Sequence, residues 1–586
     1  MNKRKIRYAL LWILLAVILV LLVFFKFSLT GRQMAEVYFS SYAPIDDTLM
    51  YDSAVSIVEG NWLGDYTWKT MSKHMFFSVW LAGLSKLGIP YLVGGQLLYL
   101  VACVAAAAAV IPLFKRKWGS AVVFALLWMS PYSWAQFTLR VYRDNIFPSL
   151  CLLFFAGVIG MAVRFKDKPY KSIPFAIAAG LGLGTAWLTR EDGVWLLPFA
   201  ICAAIAYLAI VLMQKERLVS GLKHALMPAV ALTVCFACVG LYCFKNYRFY
   251  DRFVISDFTS WEFNDAVGAL LRCETDGAHD KKILVCKETR DKVAAAVPLY
   301  AEIEKVIEEN PALYGGYGYP EQQEFNSGGF CWALRIAVSE AGYYKDAVTA
   351  RDFYAELADE INKACDSGAL THNGGKKSTT LMPWQREFLK PTIAEVGSSF
   401  GCLLGFEQTS SLAALSTAPE EQANQMAQFL HQEVSSMVNP DTGQAMYSPE
   451  QRDVEIKLRA ISGVYRVIIP CALIMALVVL CLDIAKAIRE ISAKKIGVAA
   501  MRAVMVLGVA LSILLRIGIV SYIEAASFQI GTYLLYLSSA GPLILLFAAY
   551  GIVGVSELVY DAISAQLQKK YGLVKKDKAT DEIPTN

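Results

Sequence analysis

Two adjacent aspartates, Asp46 and Asp47, follow the first apolar run in the stretch Ala43-Pro-Ile-Asp46-Asp47-Thr-Leu-Met-Tyr51-Asp52. A carboxylate there could take the proton from an acceptor hydroxyl or amine as that group attacks a sugar's anomeric carbon. The same loop passes Glu59, Trp62 and Asp65 and reaches Lys69, Lys73 and His74. Cations suit a leaving group that is a phosphate, since guanidinium and ammonium groups stabilise its developing negative charge. Further charges recur at three later places: Arg140, Arg143 and Asp144; Arg190, Glu191 and Asp192; and Arg516 inside a late apolar run, with Glu524 beyond it. Tyr42, Tyr51, Trp62, Tyr66 and Trp68 offer ring surfaces for a sugar or for the membrane interface. Structural readings exist for each group. Asp46 and Asp47 could cap a helix, Lys69, Lys73 and His74 could meet lipid headgroups, Arg140, Arg143 and Asp144 could anchor at the interface, Arg190 with Glu191 and Asp192 could close a turn, and Arg516 could snorkel. Tyr314–Pro320 reads as a turn cluster. What favours chemistry is that all these charges fall on one face.

The elements that must position them cross a membrane. The chain has 586 residues, 56% hydrophobic and only 18% charged, with a mean hydropathy of +0.42. A soluble chain carries about a quarter charged residues. The net charge of +4 makes no case for nucleic acid. Ten apolar runs near 8–27, 89–114, 119–137, 145–163, 172–189, 194–213, 225–244, 460–482, 497–520 and 528–556 are read as spans, since about 20 apolar residues cross a bilayer. Residues 75–88 are apolar but short and read as an interfacial helix. The first span follows Met-Asn-Lys-Arg-Lys without a small-residue cleavage site, so it reads as uncleaved.

Basic residues set the orientation. Lys115–Lys117, Arg164–Lys171, Lys215–Lys223, Lys486–Lys495, the start (Lys3–Arg7) and the end (Lys569–Lys576) all share one side if ten spans alternate. That side is expected to be cytoplasmic, with both termini in it, and the chain multi-pass in the plasma membrane. The outer side then holds 28–88, the turns 138–144 and 189–193, and a long polar insert of about 200 residues, enough for a core of its own. Helix-like stretches in it include Lys292–Glu309, Ala350–Ala364 and Pro419–Val438. The expected fold is an all-α polytopic membrane protein of about ten helices with a mainly helical extracytoplasmic domain. It divides into a core (1–245, with the first outer loop 28–88), the outer domain (246–459), C-terminal spans (460–556) and a cytoplasmic tail (557–586). Eight of thirteen cysteines lie in apolar runs and read as packing. In the insert, Cys273–Cys286 is the pairing considered, with no pairing fixed by sequence.

The order of these motifs resembles the GT-C glycosyltransferases, nearest to the protein O-mannosyltransferase and aminoarabinose-transferase group. The resemblance is carried by Asp46-Asp47, Glu59-Gly60, Lys73-His74 before Phe76-Phe-Ser-Val-Trp-Leu81, Arg140-Val-Tyr-Arg143-Asp144-Asn145, and the glycine run Gly180-Leu-Gly182-Leu-Gly184 that leads to Arg190-Glu-Asp-Gly193. It covers about residues 1–245 as a seven-span core. Two departures stand out: His74-Met75 replaces the usual proline after the lysine, and Glu191 replaces the proline of Arg-Pro-Glu-Gly. The resemblance implies an inverting transferase using a polyprenyl-phosphate sugar, with Asp46 or Asp47 as base. By matching motif Lys73 would hold the donor phosphate, with Arg143 and Asp144 in support or Arg140 as the matching arginine. The wider set read from the charges themselves is Lys69, Lys73, His74, Arg140, Arg143, Arg190 and Arg516 for the phosphate, supported by Asp144, Glu191 and Asp192.

The expected reaction is sugar transfer to an acceptor outside the cytoplasm, a cell-envelope polymer, lipid or protein. No cofactor is required by these residues; a divalent cation is compatible, with Asp46, Asp47 and Asp144 as ligands. The rival readings are a lipid or polysaccharide transporter, which calls for charges at mid-membrane, and a non-catalytic envelope assembly protein with an outer binding domain.

Overall fold

The apolar runs form helices because, without water, each backbone N–H and C=O must be satisfied within its own segment. The computed structural model describes residues 3–38, 45–212, 226–274, 282–438, 443–493, 497–528 and 530–571. Tyr42, Ala43, Pro44, Lys215, Arg217, Lys223, Lys494, Lys495, Lys575 and Lys576 lie outside the described residues.

In chain order the first helices are α1 (Lys3–Thr30), α2 (Asp47–Glu59), α3 (Phe76–Leu87), α4 (Tyr91–Val110) and α5 (Trp118–Trp128). Next come α6 (Phe147–Ala162), α7 (Ile173–Thr189), α8 (Leu197–Leu212) and α9 (Met227–Tyr250). The insert contributes α10 (Trp261–Leu270), α11 (Lys287–Ala296), α12 (Pro298–Glu309), α13 (Ser327–Glu340), α14 (Ala347–Asp366), α15 (Leu389–Leu404) and α16 (Glu420–Leu430). The chain returns to the bundle with α17 (Pro449–Ser492), α18 (Val498–Ile523) and α19 (Gly541–Tyr571). Among the described residues nine helices are long and apolar enough to cross a membrane: α1, α4, α6, α7, α8, α9, α17, α18 and α19. The protein is an all-α, multi-pass membrane protein. Its described strands are one two-residue pair, Gly318–Tyr319 with Glu324–Phe325.

The third expected span, 119–137, is not a continuous helix. α5 has 11 residues and is followed by Pro131 at the start of a short 3-10 turn. Proline lacks an N–H and ends the ladder, which strands the last carbonyls of α5. Side chains from distant helices satisfy them. Tyr465 donates to the Leu126 carbonyl (2.8 Å), Tyr99 to Leu127 (2.6 Å) and Lys26 to Trp128 (2.7 Å). The Lys26 ammonium also donates to Ser133 Oγ at 2.7 Å and sits 4.1 Å from the Trp128 ring. Residues 129–135 are all buried, the condition under which irregular backbone survives at membrane depth.

The glycine run of α7 is a packing device. A Cβ on Gly182 would lie 2.5 Å from the Phe154 nitrogen of α6, and one on Gly180 would lie 2.4 Å from the Ala231 carbonyl oxygen of α9. α7 is thereby wedged between α6 and α9, close enough for dispersion contacts between backbones. This fixes where Arg190, one residue past its end, emerges.

The insert is not one body of uniform attachment. Residues from α10 to α14 build a separate hydrophobic core with Phe263, Tyr300, Phe330, Phe353 and Leu357. From Cys402 to Val434 the buried residues join the core of the bundle instead. All thirteen cysteines are free. The considered pairing Cys273–Cys286 is not formed: Cys273 Sγ faces Cys365 Sγ at 3.8 Å, and Cys286 faces Thr289. The closing of α10 against α14 decides this, which the short spacing in sequence does not reveal.

Candidate active site

After α1 the chain runs extended between two other segments. Ala35 pairs with Glu433 and Ser435, and Glu36 with Leu139 and Val141, through backbone hydrogen bonds of 2.8–3.0 Å. This pairing fixes Arg140 next to the start of α2. Arg140 grips Asp47 with a fork, Nε to Oδ1 at 2.9 Å and Nη2 to Oδ2 at 2.5 Å. The Asp47 side chain has no exposed surface.

Asp46 stands at the N-cap of α2 but makes no side-chain cap bond. Its carboxylate instead pairs with the Lys73 ammonium and accepts from the Tyr142 hydroxyl at 2.8 Å. Lys73 also donates to the Tyr142 oxygen at 3.2 Å. Asp46 is 33% exposed and Lys73 only 9%, so a carboxylate at the opening rests on a buried ammonium. Burial alone would raise the Asp46 pKa, but the adjacent Lys73 charge outweighs it and holds the carboxyl well below the usual carboxylate range. Burial lowers Lys73 below an ordinary lysine, although Asp46 pulls the other way.

The cations continue behind this pair. Arg143 Nη1 donates to both Glu191 oxygens (2.7 and 3.0 Å), and its buried Nε has no hydrogen-bond partner. Glu191 also accepts from the His74 backbone N–H at 3.0 Å, tying the Lys73 loop to the α7–α8 turn. Arg190 bonds Asp144 (2.6 Å) and Asp192 (2.9 Å), and Arg516 of α18 bonds the other Asp192 oxygen (2.6 Å) and the Tyr536 carbonyl (2.7 Å). Arg516 is buried and so does not snorkel.

Thus Asp46, Asp47, Lys73, His74, Arg140, Arg143, Asp144, Arg190, Glu191, Asp192 and Arg516 form one network of four ion-pair groups at one end of the bundle. Three meet at Tyr142, whose hydroxyl bonds Asp46 and whose ring lies 4.6 Å from the Arg140 guanidinium and 5.3 Å from that of Arg143, and the fourth follows through the Arg190–Glu191 peptide. Lys69 is the exception. Its ammonium lies 5.6 Å from the Trp68 ring and enters none of these ion pairs. Glu524 accepts from the Gly531 N–H and is also outside the network. Trp62 and Tyr66 are spent on packing, against Tyr242 and Tyr344, and Tyr51 on Phe429.

Asp46, Asp47 and Asp144, the carboxylates compatible with a divalent cation, are each paired with a basic side chain: Lys73, Arg140 and Arg190. The described residues whose ligand atoms do gather are Asp291, Glu304 and Glu308, and these already pair with Lys287 and Arg290.

Several participants carried no signal in the sequence. Tyr142 is a neutral residue between two arginines. Glu36 is buried, accepts from the Ala414 N–H and from Gln136, and burial pushes it up to about 7. Two residues arrive from the insert: the Trp332 ring lies 5.9 Å from the Lys73 ammonium, and burial, with the Asp46 charge added to it, raises the Tyr317 pKa. Trp332 is seated on Phe258 (4.9 Å), while Arg335, on the same helix, donates to the Trp68 carbonyl at 2.6 Å. α13 therefore holds the Lys73 loop as well as facing the site.

No family model matches the chain, and no curated protein does. Solved structures of ArnT do match. ArnT from Cupriavidus metallidurans in the apo state is 14% identical, with 97% of this chain and 82% of that chain covered and a TM-score of 0.28. The same protein bound to undecaprenyl phosphate is 13% identical, with 98% and 81% covered and a TM-score of 0.27.

Proposed function

We propose that this protein transfers a sugar from a polyprenyl-phosphate donor to an acceptor on the side of the membrane where the insert stands, outside the cytoplasm, with inversion. The observation that carries the reading is the pair Asp46–Lys73: a carboxylate at the opening, free of any capping duty, held by a buried ammonium at the end of a membrane bundle. The donor's tail lies in the bilayer and its phosphate reaches the rim. There the phosphate competes with Asp46 for Lys73. Arg143 has a donor to spare, its Nε, and adds a second cation.

As Lys73 turns to the phosphate, Asp46 loses the charge that depressed its pKa and becomes a stronger base. It takes the proton from the acceptor hydroxyl or amine while that group's lone pair forms the new bond to the anomeric carbon. The bond from that carbon to the phosphate oxygen breaks, and the electron pair leaves with the polyprenyl phosphate. Asp47 is the positioning partner of Arg140 in this scheme, not the base. Arg190, Asp144, Asp192 and Arg516 hold the turns that carry Arg143 and Glu191. Trp332 and Tyr317 give the insert a place at the acceptor side.

A transporter is the weaker reading. Charges of the network crowd one end, and the buried charges elsewhere on the bundle helices, Lys26, Glu455, Asp483 and Glu557, have partners in Trp128, Ser411, Arg502 and Arg116. The test is to incubate the purified protein with labelled polyprenyl-phosphate sugars and follow release of lipid phosphate. The wild type is expected to release it, and a D46N/D47N double variant is not. Equal release by both would sink the assignment.

A further inference from the structure

Soluble surfaces rarely present large apolar side chains in clusters, yet the insert presents several, two of which carry a tryptophan. The first follows α9: Phe253 and Trp261, the latter 78% exposed. The second precedes and opens α15: Leu381, Trp384, Leu389 and Ile393, with Trp384 57% exposed. In α15 the spacing of Leu389 and Ile393 puts both on one face, while Cys402 and Leu403 are buried in the bundle core.

Each cluster begins where an apolar outer surface of the bundle ends. Tyr522, at the insert end of α18, donates to the Met382 carbonyl at 2.8 Å and packs against Trp384 at 5.4 Å. The outward side of α18 below it exposes Leu507, Leu511 and Leu514. Likewise, α9 exposes Phe236, Leu241 and Phe244 before the chain turns toward Phe253 and Trp261. The clusters therefore continue two lipid-facing stripes. Exposed Arg386 and Lys390 stand beside the second cluster, where they can meet lipid phosphates.

We infer that the insert rests on the bilayer through two apolar feet, Phe253–Trp261 and Leu381–Ile393, which enter the headgroup and upper acyl region of the adjoining leaflet. Tryptophan favours this zone because its ring is apolar and its N–H is polar, and a helix with one apolar face and flanking cations lies well in it. The feet would fix the height of α13, and so of Trp332, above the membrane. The inference needs only that the bundle spans a bilayer and holds whether or not the protein is a transferase.

The test uses the full chain in nanodiscs of phosphatidylcholine and phosphatidylglycerol. Exposed Cys202, Cys471 and Cys481 are replaced by serine. Single nitroxide labels are then placed by Trp261→Cys, Leu381→Cys and Ile393→Cys, with Leu511→Cys as the lipid reference and Lys305→Cys as the water reference. These are exposed positions, so labels do not enter a packed core. The expected result is oxygen collision exceeding that of a water-soluble nickel chelate at 261, 381 and 393, as at 511. Nickel-dominated collision, as at 305, would overturn the inference. So would shielding from both reagents, which marks a second protein covering the patch.

Discussion

Asp46 and Asp47 are neighbours in sequence, and the structure gives them opposite consequences on substitution. Asp47→Asn takes a fully buried carboxylate from its fork and leaves the Arg140 guanidinium, 13% exposed, with its charge unpaired. Breaking such a pair costs about 3–5 kcal/mol. Asp46→Asn acts at a side chain one-third exposed, and the remaining oxygen can still accept from Lys73 and Tyr142. Its cost in stability is expected to be smaller than that of Asp47→Asn, since water at this one-third-exposed position can take up part of the lost interaction with Lys73. Turnover follows the reverse order. Losing a general base removes roughly 10²–10⁴-fold in rate, so Asp46→Asn is expected to be folded and nearly inactive. Asp47→Asn is expected to melt several degrees lower and to retain turnover in proportion to the folded fraction and to how well Arg140 stays in place. Thermal unfolding in detergent, read by a thiol-reactive dye on the buried cysteines, is compared with donor turnover at low temperature. A variant Asp46→Asn as unstable as Asp47→Asn, or with near wild-type turnover, would refute the reasoning.

Other expectations follow from the same geometry. Glu36 has its folded pKa raised from 4.5 to about 7, so its contribution is full below the unfolded value and is lost as pH rises through about 7. The loss is at most roughly 3 kcal/mol by linkage, and Glu36→Gln should flatten the dependence of melting on pH between 4.5 and 7. Lys73 has its pKa lowered by burial, so donor binding should fall on the alkaline side earlier than an ordinary lysine would allow; Lys73→Arg should shift that limb upward, and an unmoved limb assigns it elsewhere. Gly182→Ala places a methyl 2.5 Å from the Phe154 backbone nitrogen and should cost about 1–3 kcal/mol by overpacking, measured as a lower melting temperature, with Gly240→Ala, where the space is open, as the neutral control.

The spans were legible because hydrophobic runs of sufficient length carry their own signal, and basic loops marked one side. The interruption after α5 was not, since what stabilises it is Tyr465, Tyr99 and Lys26 reaching the α5 carbonyls from far along the chain. Without those caps Pro131 alone says only that a helix is disturbed. The charged residues that the fold brings together drew notice in the sequence, because charge at a membrane edge is costly without a use. Their pairing did not. Nothing local distinguishes Asp46, partly exposed, from Asp47, buried under Arg140, and only the extended pairing of residues 35–37 with other segments decides it. Trp332, Tyr317 and the Cys273–Cys365 contact depend on how the insert folds back, which no short motif encodes.

In the proposed cycle donor phosphate draws Lys73 away from Asp46 and so frees the base. A single-turnover experiment with saturating labelled donor and a competent acceptor tests it most directly, with donor binding measured in parallel. For Asp46→Asn binding is expected to be as tight as in the wild type or tighter, since only a neutral amide then competes for Lys73, together with a chemical step slowed at least about a hundredfold. Weakened donor binding with an unchanged chemical step would contradict it.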